Sequence, residues 1–169
     1  MLSYRHAYHA GNHADVLKHL VLMLCMQHMN GKEKPYTVVD THAGAGLYVL
    51  DSEQAKRTGE YINGIGRLWP RTDLPAPLAQ FMTSIKALNQ SGQLHRYPGS
   101  PWLIDHLARP IDRLRFCELH STDFALLRRQ YKDAGRRVAV YQDDGFEVLK
   151  AILPPPSRRA LVLIDPSYE

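Results

Sequence analysis

The strongest constraint on the fold is a set of four short apolar runs, each followed within three residues by a carboxylate. Segments with helical spacing of apolar residues lie between the runs. Parallel strands need long connections, which helices supply, so the alternation predicts an α/β fold with a parallel sheet. Ligands of such sheets bind beyond the carboxyl ends of the strands. The pattern therefore predicts a ligand site lined by the acids that follow the runs: Asp40, Glu118, Asp143 or Asp144, and Asp165.

Candidate helix ends are found at three places. Ser121 is a candidate cap of a helix that reaches Lys132, and Ser100 is a candidate cap with Pro101 in the first turn. Asn12 can cap an amphipathic helix, because apolar residues then recur at helical spacing at Val16, Leu17, Leu20, Val21 and Leu24.

The first two strand ends, Asp40 and Glu118, are 78 positions apart. A nucleotide-binding βαβ unit places its second acid only about 20 residues beyond the glycine loop. We therefore expect a mostly helical insertion subdomain at residues 51–97. Residues 1–50 would hold an N-terminal tail, a helix and the first part of the main domain, and residues 98–169 would hold the rest of it.

Composition favours a cytoplasmic protein without a membrane segment. No apolar stretch approaches the roughly 20 residues of a membrane span, and the N-terminus does not resemble a secretory signal. The net charge of +4, from 21 basic and 17 acidic residues, mildly favours an anionic partner.

Six of the nine histidines lie within the first 50 residues. Three of them, His6, His9 and His13, are spaced closely enough to permit a metal site. No neighbouring cysteine completes a soft ligand set, so we predict no metal. The alternative is a basic, aromatic edge that faces nucleic acid and a cofactor, because stacking and positive charge together hold unpaired bases. Its members would be Tyr4, Arg5, His6, Lys18 and His19.

The segment Asp40-Thr-His-Ala-Gly44-Ala-Gly46 is a shortened glycine fingerprint after a strand. Glycines allow the backbone to approach a ligand closely, although such glycines also mark ordinary tight turns. The absence of a Gly-Lys-Ser/Thr ending disfavours a P-loop. A carboxylate at the second strand end, Glu118, can accept hydrogen bonds from both ribose hydroxyls of an adenosine.

The final residues, Asp165-Pro166-Ser167-Tyr168, resemble the Asp/Asn-Pro-Pro-Tyr/Phe motif of amino-group methyltransferases that use S-adenosylmethionine. An exocyclic amine of adenine is a poor nucleophile because its lone pair is delocalised into the ring. A carboxylate and a backbone carbonyl that accept its two N–H bonds localise that pair, and an aromatic side chain can stack on the extruded base. The alternative is a proline-containing turn after a core strand.

Six longer strings are distributed along the chain: 9–19, 40–46, 57–61, 91–94, 97–101 and 118–120. Together they resemble the ribosomal RNA large subunit methyltransferase J family, whose members methylate N6 of an adenine in 23S ribosomal RNA. An older label of that family is a protein needed for catabolism of external DNA. The resemblance implies a Rossmann-like class I S-adenosylmethionine-dependent methyltransferase with a helical insertion after the first strand. It also implies 23S ribosomal RNA as partner and a monomeric, cytoplasmic enzyme.

The resemblance also implies roles for individual residues. Asp165 matches the catalytic acid. Pro166 would help to hold the target amine, and Tyr168 would hold the base. Tyr4 and His6 match an N-terminal tail near the substrate. The S-adenosyl-L-methionine pocket would comprise Lys18, His19, His42, Gly44, Ser100, Glu118, Asp144 and Gly145.

Two departures from the family pattern concern the end of the sequence. Ser167 stands where members carry a second proline, which would loosen the turn that aims the Pro166 carbonyl. Members also continue well beyond position 169, so we expect the C-terminal strands to be missing and the run 160–164 to form a sheet edge. Such a chain should aggregate or bind cofactor weakly. Two alternative functions are a DNA adenine methyltransferase and a non-catalytic nucleic-acid-binding protein.

Overall fold

A computed structural model describes residues 5–167 as an α/β structure. Short 3-10 turns lie at His6–Tyr8 and Gly135–Arg137. The helices and strands follow in the order α1 (His13–Asn30), β1 (Thr37–Asp40), β2 (Leu47–Val49), α2 (Glu53–Thr58), α3 (Glu60–Asn63), α4 (Ile65–Leu68), α5 (Ala76–Leu88), β3 (Arg96–Pro98), α6 (Ser100–Leu107), β4 (Arg113–Cys117), α7 (Ser121–Gln130), β5 (Val138–Tyr141), α8 (Gly145–Ile152) and β6 (Ala160–Leu163).

The four strands expected from the apolar runs form one parallel sheet in the order β5-β4-β1-β6. All four residues of β1 are buried, as expected for a central strand rich in β-branched residues and covered on both faces. Asp40 is in register with Phe116 and Leu163. Because Glu118 and Asp165 follow those partners by two residues, the acids lie at one edge of the sheet. The predicted α/β class and parallel sheet are confirmed.

Helix α1 begins where the sequence predicts, but it buries a different face. The Asn12 side chain accepts a hydrogen bond from the Asp15 backbone N–H at 2.9 Å and caps the helix. Leu17 and Val21 are 64% and 50% exposed. The buried residues of α1 are instead Asp15, His19, Leu22, Met23 and Met26. The apolar spacing alone does not identify this face, because two polar side chains of α1 turn inward toward the carboxyl edge of the sheet.

Two predicted caps lie one position too late. Gly99 precedes α6, so Ser100 is the first helical residue, with Pro101 next to it. His120 precedes α7, so Ser121 is likewise inside the helix, which ends at Gln130 and not at Lys132.

The region between β2 and β3 holds the four helices α2–α5. The two strands pair antiparallel, with Tyr48 opposite Tyr97. Sequence patterning missed both strands, because each has only three residues and their pairing spans the helices. The helical content agrees with the expected insertion. That residues 51–97 form a separate subdomain stays a prediction.

The insertion packs directly against the N-terminal segment. The Gly11 carbonyl accepts a hydrogen bond from the Ile65 N–H at 2.9 Å. A Cβ added to Gly64 would lie 2.1 Å from that same carbonyl oxygen, so only glycine permits this approach. His9 Nδ1 and Asn12 Nδ2 donate to the two Glu60 oxygens at 2.8 and 2.9 Å. These contacts fix the start of α1 relative to the insertion.

Replacing Glu60 by alanine is expected to loosen the N-terminal segment and leave the sheet intact. Two side-chain hydrogen bonds would be lost, each contributing about 0.5–1.5 kcal/mol, and the half-buried position puts the loss at the lower end. Hydrogen exchange should accelerate in residues 6–12 and stay unchanged in β1 and β4. Glu53→Ala, at an exposed position of the insertion, is the control. Unchanged exchange in residues 6–12 would contradict this interpretation.

Strand β6 is one of the two edge strands of the sheet within residues 5–167, the other being β5, and all four residues of β6 are half-buried. No helix in this range is long and apolar enough to cross a membrane.

Candidate functional site

A cavity of about 250 Å³ lies at the carboxyl edge of the parallel sheet. It is bounded by the loops after β1, β4, β5 and β6, by α1, and by the N-terminal turn. Tyr4 and Tyr168 lie outside the described residues. Two residues that the sequence also predicts at this site do not line the cavity: Asp40 is fully buried at the end of the central strand, and Arg5 pairs with Asp123. The structure brings the following sequence-predicted site residues together around the cavity: His6, Lys18, His19, His42, Gly44, Ser100, Glu118, Asp144, Gly145, Asp165 and Pro166.

Several further residues line the cavity that the sequence reasoning did not select. Leu119 and Phe146 are about half exposed there, each directly after a predicted site residue. Such exposed apolar side chains beside a strand-end acid are the signal that could have identified them. The remaining ones include Thr41, Tyr48, His120 and Asp123.

The loop after β1 and Glu118 are joined by hydrogen bonds. Glu118 Oε2 accepts from the Gly44 N–H and Oε1 accepts from the His120 N–H, both at 2.7 Å. Gly44 has φ +63°, and an added Cβ would lie 2.3 Å from the Tyr48 hydroxyl. Burial raises the pKa of Glu118, although the two N–H donors oppose this. Each carboxylate oxygen keeps a second lone pair, and Glu118 lines the cavity.

A chain of charged side chains connects α1 to the end of β6. Lys18 Nζ lies 2.6 Å from Asp165 Oδ2 and 2.8 Å from Asp15 Oδ1. His6 Nε2 donates to Asp15 Oδ2 at 2.8 Å. Burial alone would raise the pKa of Asp15. The neighbouring side chains of His6, His19 and Lys18 outweigh the effect of burial and hold that pKa well below its usual value. Burial acts to lower the pKa of Lys18, but the two carboxylates raise it well above its usual value.

Three buried polar atoms at or next to the cavity have no hydrogen-bond partner among residues 5–167: His19 Nε2, Asp40 Oδ2 and His120 Nδ1. Burial lowers the pKa of His19 to about 3, so its imidazole is neutral at pH 7. Burial raises the pKa of Asp40 to about 6, opposed by hydrogen bonds from Ser100 and from the His42 N–H. A buried polar atom without a partner is costly, and a bound ligand could satisfy those of His19 and His120, which line the cavity.

Replacing Asp40 by asparagine is expected to stabilise the protein at pH 7. The folded-state pKa of Asp40 is raised from 3.8 to about 6. The folding free energy that this group contributes is therefore fully present below pH 3.8 and is lost as the pH rises through 6. The uncharged amide of asparagine would remove that loss of folding free energy, which amounts to about 1–3 kcal/mol above pH 6. Its side-chain oxygen would still accept the hydrogen bond from the His42 N–H. Urea unfolding at pH 7 and at pH 4 measures the difference, which should vanish at the lower pH.

Asp112→Asn is the matched control for that experiment. Asp112 is also fully buried, and burial alone would raise its pKa. The hydrogen bonds from Arg109 and from the Tyr36 N–H outweigh burial, so the pKa of Asp112 lies below its usual value. The same substitution should therefore destabilise the protein at pH 7. If both variants shifted stability in the same direction, the proposed origin of the Asp40 effect would be wrong.

Asp144 and Gly145 lie at the start of α8. Asp144 Oδ1 accepts from the Phe146 N–H at 2.8 Å and caps the helix. A Cβ on Gly145 would lie 2.3 Å from the Thr41 carbonyl oxygen, so glycine here lets α8 approach the loop after β1. The Phe146 ring contacts His42 edge-on, with ring centroids 5.5 Å apart.

The N-terminal histidines contact carboxylates that belong to hydrogen-bond networks. His6 pairs with Asp15 and His9 with Glu60. Within residues 5–167 no group of three His, Cys, Asp or Glu side chains is arranged to hold a metal ion.

The residues present fit an adenosyl cofactor with an amino-acid end. Glu118 offers acceptors suited to vicinal hydroxyls, and the absence of a Cβ at Gly44 accommodates the Tyr48 hydroxyl in the cavity wall. Leu119 and Phe146 offer apolar contact for a flat ring. The unpartnered Nε2 of His19, which lines the cavity, offers a hydrogen-bond partner for a polar group of the amino-acid end. Asp165, at the mouth, is 42% exposed and accessible to a second molecule.

The matching family model and two curated relatives agree on one family. The family model described as "Ribosomal RNA large subunit methyltransferase D, RlmJ" matches residues 33–169. Two curated relatives, both named Ribosomal RNA large subunit methyltransferase J, come from Escherichia coli and Haemophilus influenzae. They are 55% and 51% identical over all of this chain. A crystal structure of a protein from Legionella pneumophila matches 95% of the chain, with a TM-score of 0.86 and 39% identity.

The chain spans 60% of the length of those two curated relatives and 58% of the Legionella protein.

Proposed function

Because the chain belongs to the family of ribosomal RNA large subunit methyltransferases described as RlmJ, we propose that it methylates N6 of an adenine in 23S ribosomal RNA with S-adenosyl-L-methionine. The observation that carries the proposal is the convergence of Glu118, Asp144 and Asp165 on one cavity. Those acids follow three different strands, β4, β5 and β6, and Asp165 is followed by Pro166 as in amino-group methyltransferases.

Glu118 and Asp144 would hold the adenosyl part of the cofactor. The two Glu118 oxygens are oriented by the Gly44 and His120 N–H groups, and their remaining lone pairs can accept from the ribose hydroxyls. Asp144 lies beside Phe146 and Leu119, whose apolar surfaces can cover the adenine. The cofactor supplies a methyl group on a sulfonium, which makes that methyl electrophilic.

Asp165 and Pro166 would bind the target amine. Lys18 Nζ contacts Asp165 Oδ2 at 2.6 Å, which leaves Oδ1 to accept one N–H of the amine. The Pro166 carbonyl would accept the other. Both bonds localise the nitrogen lone pair and aim it at the methyl group, and positioning of this kind accounts for much of the rate of a group transfer. Tyr168 and the N-terminal Tyr4 and His6 would contact the base.

We place the reaction in the cytoplasm, with the enzyme acting as a monomer on ribosomal RNA. The test is transfer of labelled methyl groups from S-adenosylmethionine to 23S ribosomal RNA that lacks this modification, with mass spectrometry of the product nucleosides. N6-methyladenosine in RNA supports the proposal.

The same assay distinguishes the alternatives. Equal or better methylation of DNA of the same sequence would favour a DNA adenine methyltransferase. No binding of S-adenosylmethionine, together with salt-sensitive binding of nucleic acid, would favour a non-catalytic nucleic-acid-binding protein.

A further inference from the structure

His19 is held by a buried tyrosine that has no assigned role. His19 Nδ1 lies 3.0 Å from the Tyr97 hydroxyl, and the two rings stack with centroids 5.6 Å apart. Tyr97 comes from β3 and is fully buried, and His19 is 1% exposed. The other imidazole nitrogen, Nε2, has no partner in the described part of the chain.

The hydrogen-bond inventory of this pair favours one tautomer of His19. The imidazole is neutral at pH 7, so one nitrogen carries a hydrogen and the other carries a lone pair. If Nδ1–H donated to Tyr97, the buried tyrosine hydrogen and the Nε2 lone pair would both lack partners. If Tyr97 donates to Nδ1, only the Nε2–H lacks a partner. Since each unsatisfied buried group is costly, Tyr97 selects the tautomer with hydrogen on Nε2.

An Nε2–H at the cavity is a neutral hydrogen-bond donor in a site that several carboxylates line. The neighbouring cation Lys18 is already paired with Asp15 and Asp165. Asp40 Oδ2 is a buried acceptor without a partner in the described chain, and Asp40 lies near Lys18 and Asp165, which influence its pKa. Of the two residues, His19 lines the cavity, and its Nε2–H is a donor that matches the carboxylate of an amino acid.

We propose that Tyr97 is a positioning residue that makes His19 Nε2–H a hydrogen-bond donor for the carboxylate of the methionine part of S-adenosylmethionine. This inference rests on the proposed function. Tyr97 touches neither cofactor nor substrate and acts only through His19. The hydroxyl therefore determines how well the cavity recognises the amino-acid end of the cofactor, and not how well it binds the adenosine end.

Tyr97→Phe tests the proposal, because it removes one oxygen and keeps the ring that stacks on His19. Calorimetry should give a Kd for S-adenosylhomocysteine raised about tenfold. The Kd for 5′-methylthioadenosine, which has the adenosine but no carboxylate, should stay unchanged. Equal weakening of both ligands, or of neither, would overturn the proposal.

Tyr36→Phe is the matched control. Tyr36 is also fully buried, and its hydroxyl donates to Asn30 at 2.9 Å. It directly precedes β1, at the edge of the sheet opposite the cavity. This variant should lose a comparable amount of stability and bind both ligands as the wild type does. A selective loss of S-adenosylhomocysteine binding in Tyr36→Phe would also count against the proposal.

Nitrogen NMR of the histidine side chains provides a readout that does not depend on ligand binding. Wild-type His19 should show hydrogen on Nε2, and Tyr97→Phe should shift His19 toward a mixture of tautomers. Hydrogen on Nδ1 in the wild type would overturn the proposal. If the wild type bound neither ligand, the proposed function would fail, while the tautomer would still be decided by the spectrum.

Discussion

Replacing Asp165 by asparagine is expected to lower kcat for methyl transfer by about 100-fold or more, with little change in the Kd for S-adenosylmethionine. The asparagine retains one acceptor oxygen but loses the charge that pairs with Lys18 Nζ at 2.6 Å. The target amine would then be held by a weaker and less well oriented acceptor. Single-turnover kinetics with saturating cofactor measures the effect.

Asp105→Asn is the control for that experiment. Asp105 is also a half-exposed acid in one ion pair, with Arg137, and it lies outside the cavity. It should leave the rate unchanged. Near wild-type turnover in Asp165→Asn would remove Asp165 from the mechanism.

Replacing Gly145 by alanine is expected to destabilise the protein and weaken cofactor binding together. The added Cβ would lie 2.3 Å from the Thr41 carbonyl oxygen and 2.6 Å from Thr41 Cβ. Because the nearest contact is backbone, α8 and the loop after β1 must move apart. Overpacking of this kind costs about 1–3 kcal/mol. Thr41 also donates twice to the Leu163 carbonyl at 3.1 Å, so the displacement extends toward Asp165.

Gly31→Ala is the control, because Gly31 has φ −63° and its added Cβ would meet only the His28 carbonyl oxygen, at 3.3 Å. Its stability should change little. Thermal unfolding and calorimetry of both variants measure the outcome. A Gly145→Ala protein that unfolds and binds cofactor like the wild type would contradict the role assigned to this contact.

The parallel sheet could be predicted from the sequence because its signal is local. Each core strand is a short apolar run that ends beside an acid, and parallel pairing necessarily brings those ends to one edge of the sheet. The same reasoning predicts a cavity near Glu118, Asp144 and Asp165.

The face that α1 buries could not be predicted, because its apolar residues are distributed around the helix. Leu17 and Val21 are exposed while Asp15 and His19 are buried. These inward polar residues are stabilised by partners far away in sequence, such as Tyr97, 78 positions beyond His19. Apolar periodicity contains no information about such partners.

The contacts of Asp15 show the same limitation at the site itself. In the sequence Asp15 is only an acid in the first turn of a helix, where it interacts favourably with the helix dipole. In the structure it contacts His6, the Gly11 N–H and Lys18, and Lys18 in turn contacts Asp165. Long-range hydrogen bonds determine this role, and the pattern of one helix cannot reveal them.

The most direct test of the central claim is a crystal structure of the protein with S-adenosylhomocysteine. The account predicts Glu118 within hydrogen-bond distance of both ribose hydroxyls, the adenine between Leu119 and Phe146, and the sulfur on the side of the cavity nearest Asp165. A ligand bound elsewhere, or one whose sulfur lies remote from Asp165, would contradict it.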